Sequence, residues 1–74
     1  MRHSLHVQDI SGDTEVSWDP TSPWEVEEAR QTFEKFRSKG YMAFRMESGS
    51  KGKMIREFDP KAERIVISPP VRGG

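Results

Sequence analysis

The sequence predicts a single α+β domain, one helix over about residues 23–39 packed on a mixed sheet of four to five strands. Three observations predict it. A proline-started, glycine-stopped segment with one apolar stripe runs from Pro23 to Gly40, short alternating segments flank it on both sides, and a continuous β-branched run, Ile65-Val66-Ile67, comes last. A fold of 74 residues removes only ~60% of its unfolded-chain surface from water. Hydrophobic and charged residues each make up 32% of the chain, which supplies one sheet face and one helix stripe. A pocket enclosing a substrate is not expected.

Taken in order, Leu5 and Val7, with Ile10 as a candidate extension, predict a first strand. Ser11-Gly12-Asp13 predicts a turn, and Val16 with Trp18 a second strand ending at Asp19-Pro20. Ser22-Pro23-Trp24-Glu25 then supplies an N-cap, a proline at the first helical position and a capping-box glutamate. Val26, Ala29, Phe33 and Phe36 recur at 3-4-3 spacing, and Gly40 stops the helix. Glu25, Glu27 and Glu28 in the first turns and Lys35, Arg37 and Lys39 in the last suit the helix dipole.

After the helix, Met42, Phe44 and Met46 alternate with Tyr41, Ala43 and Arg45, and Ser48-Gly49-Ser50-Lys51-Gly52 turns the chain into a strand from about Lys53 to Phe58. Asp59-Pro60-Lys61-Ala62-Glu63 predicts another turn. The unbroken run Ile65 to Ile67 reads as a strand buried on both sides or central in its sheet. A central last strand must lie beside the first, so the order β-β-α-β-β-β folds as a β-grasp. The domain spans residues 1–68, and residues 69–74 form a tail: Pro69-Pro70 cannot continue a ladder, and Gly73-Gly74 lack Cβ, so a narrow channel can close around them.

The ending Ile67-Ser68-Pro69-Pro70-Val71-Arg72-Gly73-Gly74 resembles that of the small subunit of molybdopterin synthase, a sulfur carrier whose members commonly finish in an apolar strand followed by Pro-Pro-Val-x-Gly-Gly. Val71-Arg72-Gly73-Gly74 is also similar to the Leu-Arg-Gly-Gly of ubiquitin. Both families are β-grasp proteins. The motif-level likeness covers the last eight to ten residues, and Lys61-Ala62-Glu63-Arg64 stands where the sulfur carriers commonly have an Asp-Gly-Asp-Glu turn. The resemblance implies a ubiquitin-like modifier or sulfur carrier whose terminal carboxylate is adenylated by an activating enzyme and then forms a thiocarboxylate, a thioester or an isopeptide with an acceptor protein. Gly74 would react and Gly73 would give steric room, while Arg72, Val71, Pro70 and Pro69 would be read by the partner, Arg72 through an acidic groove.

Lys39-Gly40-Tyr41-Met42-Ala43-Phe44-Arg45-Met46 approaches an RNA-recognition strand motif with one residue too many, and the net charge of zero does not favour phosphate binding. Lys51, Lys53 and Arg56 read as a solvated basic hairpin. Ser50-Lys51-Gly52-Lys53 lacks the frame of a phosphate-binding loop. His3, His6 and Asp9 are too sparse to predict a metal site. Trp18 and Trp24 flank Asp19-Pro20-Thr21-Ser22-Pro23 and are expected at the edge of the core.

Residues 1–37 hold 4 Lys/Arg against 8 Asp/Glu and residues 38–74 hold 8 against 4, a division read as ordinary solvated surface. No enzyme and no cofactor are expected. The chain has no cysteine, no apolar signal-peptide core at its start and no run of ~18 apolar residues. Those features predict a cytoplasmic protein without membrane association. An accessory or interaction domain with an inert tail is the alternative reading, and a nucleic-acid-binding module a more distant one.

Overall fold

A computed structural model describes residues 2–9, 12–47 and 52–70. Strands β1 (His3–Val7) and β2 (Thr14–Trp18) precede the helix α1 (Pro23–Ser38), and β3 (Met42–Met46), β4 (Lys53–Ile55) and β5 (Arg64–Ser68) follow it. They form one five-stranded mixed sheet in the order β2-β1-β5-β3-β4. The first and last strands run parallel, with Leu5 opposite Ile65 and Val7 opposite Ile67, and every other pairing is antiparallel. The expectation of a central last strand holds. Its β-branched run divides between faces, Ile65 and Ile67 lying fully buried under the helix and Val66 half-buried on the other side.

Period-2 alternation across this register assembles the core. Leu5, Val7, Ala43, Ile65 and Ile67 meet Ala29, Phe33 and Phe36 of the helix, and Trp18 closes the layer at one end. Phe58 packs there as well, its ring centroid 5.1 Å from Trp18 and 5.7 Å from Phe33. This explains why β4 stops at Ile55 instead of reaching Phe58: the chain bends at Arg56 and Glu57 and swings the Phe58 ring under the helix. The Trp18 indole N–H donates to Pro60 O at 3.1 Å, and His3 Nδ1 lies 2.6 Å from Ala62 O. A carbonyl only accepts, so Nδ1 carries the proton. The first hairpin thereby pins the turn that leads into β5.

The helix boundaries follow from its punctuation. Pro23 occupies the first turn and Ser22 the N-cap position, but the Ser22 side chain makes no capping bond. The expected capping box does not form, for two reasons. The Ser22 N–H already donates to Asp19 O at 2.9 Å, and Glu25 is drawn 2.7 Å from Arg2 Nη2. At the other end Gly40 has φ +91, a conformation costly for a residue with Cβ. Gly40 N–H donates to Arg37 O, Tyr41 N–H donates to Phe36 O, and the Tyr41 and Phe36 rings lie 5.2 Å apart. These two bonds and the apolar contact across them make a complete Schellman motif.

The outer edge of β2 is guarded by the same Arg2. Its Nη2 lies 3.3 Å from Ser17 O as well as 2.7 Å from Glu25 Oε1, so one guanidinium covers an edge carbonyl and ties the edge to the helix start. The other edge, β4, is three residues long. Trp24 corrects a sequence expectation: unlike Trp18, which is fully buried, it is 66% exposed. As the second residue of α1 it stands a turn before the stripe formed by Ala29, Phe33 and Phe36.

Candidate functional site: the end of the last strand and the open sheet face

At the root of the tail Gln8 N–H donates to Ile67 O at 2.8 Å, and Ser68 Oγ lies 3.3 Å from Gln8 Oε1. Ser68 also stands opposite Met42 of β3. The chain therefore leaves the sheet from between two neighbours. Pro69, half-buried, and Pro70, exposed, follow at once, and a residue without N–H cannot extend either ladder. Val71, Arg72, Gly73 and Gly74 lie outside the described residues.

Beside this root is the sheet face turned away from the helix. Because Ala43 shares the helix side with Ile67 and Ile55, the alternation puts Met42, Phe44 and Met46 on the opposite side, next to Val66 and Met54. Phe44, Met46 and Val66 floor an open groove of about 520 Å³, with Gly52, Gln8 and Arg64 around it. A Cβ on Gly52 would lie 2.5 Å from Met46 Sδ, so the glycine leaves the methionine its place in the groove. The Arg64 side chain is exposed and, among the described residues, has no ion-pair or hydrogen-bond partner.

Charge elsewhere is mostly internally paired. His6, on this open face, has Asp13 Oδ2 3.6 Å from Nε2 and Glu15 Oε2 3.7 Å from Nδ1. Arg45 reaches Asp59 at 3.0 Å and Glu47 at 3.2 Å. Burial pushes the Asp59 carboxyl up, but the Lys61 N–H and the Arg45 guanidinium outweigh it and hold the group below the usual carboxylate range. Asp19 is held down by the backbone N–H and the hydroxyl of Thr21. Burial and the Asp9 carboxylate, 3.2 Å from its hydroxyl, push Tyr41 up. Arg30 is bound to both Glu27 and Glu34 along the helix.

The other sequence candidates separate in space. His3 sits on the helix side against Trp18, ring centroids 5.8 Å apart, while His6 pairs with Glu15 on the open face. Asp9 is engaged by Tyr41. Among the described residues no three His, Asp or Glu side chains converge to hold a metal ion. On the strand that approaches the RNA-recognition motif, Phe44 is on the open face but Tyr41 precedes the strand and packs on Phe36. Lys53 and Arg56 are exposed; Ser50 and Lys51 lie outside the described residues, and Gly52 leads into a strand rather than a helix. Among the described residues no helix is long and apolar enough to cross a membrane.

Sequence reasoning missed the groove. Its signal was present: Ile65 and Ile67 claim the covered face for odd-numbered residues of β5, and an antiparallel neighbour carrying Ala43 against Ile67 must turn its larger side chains outward. No protein-family model matches this chain, and no curated protein or solved structure shows detectable similarity to it.

Proposed function

We propose that the protein is a β-grasp domain that acts through its C-terminal tail, as a ubiquitin-like modifier or sulfur carrier whose Gly74 carboxylate is adenylated by an activating enzyme. The single observation that supports this reading most is the position of β5. A terminal strand held on both sides, by β1 in parallel and β3 in antiparallel register, gives the following residues a rigid origin, and Pro69-Pro70 stiffens the exit. The strand order and the single helix packed on one sheet face agree with a β-grasp.

In chemical terms, attack of the Gly74 carboxylate oxygen on the α-phosphate of ATP expels pyrophosphate and converts a poor electrophile into an acyl adenylate. A sulfur or thiol nucleophile then displaces AMP, leaving a thiocarboxylate or a thioester, and an acceptor lysine can take the acyl group from the thioester. The domain supplies no acid, base or nucleophile to these steps. Its contribution is to present the tail, with Gly73 and Gly74 slender enough for a closed channel and Arg72 offering a bidentate cation to acidic groups.

The test compares the full chain, tagged at its N-terminus and expressed in its native host, with a variant lacking Gly73 and Gly74. Intact-mass analysis of the full chain should show sulfur replacing a carboxylate oxygen, or a conjugate ending in an isopeptide from Gly74, and the variant should show neither while keeping its circular dichroism spectrum. Identical masses for the two chains, with no conjugate from either, would sink the reading and favour an interaction domain with an inert tail.

A further inference from the structure

The geometry points to weak head-to-tail association of this chain, in which Trp24 of one copy seats in the groove over Phe44, Met46 and Val66 of the next. Two unsatisfied features of opposite shape carry it. Trp24 is a projecting indole, 66% exposed, with no ring contact and no hydrogen-bond partner among the described residues. The groove of about 520 Å³ is wide enough for an indole, and its floor of one aromatic and one thioether side chain suits an aromatic ring.

Charge fixes the direction of the match. Glu28 lies one turn beyond Trp24 on α1, is exposed and has no ion-pair partner for its carboxylate among the described residues, whereas Glu25 and Glu27 are already bound to Arg2 and Arg30. At the groove, Arg64 is an exposed cation without a partner among the described residues, opposite Met46 in the β3–β5 register. A carboxylate one helical turn from an exposed indole meets a guanidinium beside an apolar groove, so apolar and ionic complements come in matching pairs. Gln8, at the rim, presents an amide oxygen to which the indole N–H can donate.

The helix covers one face of the sheet and the groove opens on the other, so a chain cannot fill its own groove. The contact is heterologous: each bound copy leaves one Trp24 and one groove free, and the product is an open chain or a ring rather than a symmetric dimer. One indole buries only about 150–250 Å², well under a standard interface. Each contact is accordingly weak. Neither Trp24 nor the groove that receives it belongs to the tail.

Sedimentation equilibrium on the full chain between about 10 µM and 1 mM is the test. The average mass should rise steadily with concentration, with a blue shift of Trp24 emission. Trp24→Ala should weaken association about tenfold or more, as should Glu28→Arg and Arg64→Glu singly, all three sites being exposed and harmless to folding. Mixing the Glu28→Arg and Arg64→Glu chains, or combining both changes in one chain, should restore it. A chain that stays monomeric throughout overturns the inference. So does association that Arg64→Glu weakens but Trp24→Ala leaves intact, because the occupant of the groove is then something else, or failure of the charge-swapped pair to recover.

Discussion

Replacing Trp18 by Phe tests whether the first hairpin and the β4–β5 turn are held together through one side chain. Trp18 is fully buried, its N–H donates to Pro60 O at 3.1 Å, and its ring touches those of Phe58 and His3. The substitution keeps an aromatic ring but leaves a void on the order of 40 Å³, worth about 1 kcal/mol at ~24 cal/mol per Å³. Losing the hydrogen bond to a part-buried carbonyl costs about 1 kcal/mol more, and the lost transfer energy brings the sum to about 2–3 kcal/mol. A domain this small has a total stability of roughly 4–11 kcal/mol, so the loss is a large fraction of the whole. Urea unfolding followed by far-UV circular dichroism should show the midpoint falling by about 2–3 M, given a slope near 1 kcal/mol per M for a chain of this size. Trp24→Phe, at an exposed site, should move it by less than about 0.5 M. A drop below about 0.5 M for Trp18→Phe would refute the anchoring role.

Gly40→Ala should cost about 1–2 kcal/mol in the same titration; with no atom within 4 Å of the added Cβ, the cost is purely that of the positive φ, and a neutral outcome would mean the Schellman turn relaxes freely. Ile67→Ala, under the helix, should destabilise by about 2–5 kcal/mol, whereas Met54→Lys, 55% exposed on the open face, should stay within about 0.5 kcal/mol; equal effects would contradict the assignment of faces. Asp59 binds its proton less readily folded than unfolded, so its contribution is present above the unfolded carboxylate pKa and is lost as pH falls through the lower folded value. Stability should decline below about pH 5, and Asp59→Asn should flatten that acid limb; an unchanged slope would remove Asp59 from the account.

What was legible in the sequence is what local chemistry decides. The helix announces itself through Pro23, the 3-4-3 stripe and Gly40, and β5 through three consecutive β-branched residues, because these signals need no knowledge of distant neighbours. The capping box failed for the opposite reason: Arg2, twenty-three positions away, competes for Glu25. From the sequence Phe58 reads as the end of the strand begun at Lys53, yet the space between Trp18 and Phe33 that receives it exists only once the sheet has formed. The same holds for the candidate site. Pro69 and Pro70 read from the sequence as a strand stop and follow β5 directly, but the groove draws on positions 8, 44, 46, 52, 64 and 66, and no window of sequence contains it.

Joining β1 to β5 has a consequence for how the molecule can be made. Ser4 pairs with Arg64 and Leu5 with Ile65, a separation of sixty residues, so loop closure comes late and at high entropic cost. Until residues 64–68 are in place, the β1–β2 hairpin and the β3–β4 hairpin have no strand between them. Synthesis from the N-terminus therefore cannot yield a working fold in stages; a stalled or clipped chain ending before Arg64 exposes two unpaired strand edges and the apolar underside of α1. Folding of this domain and the display of whatever follows Ser68 therefore become one event.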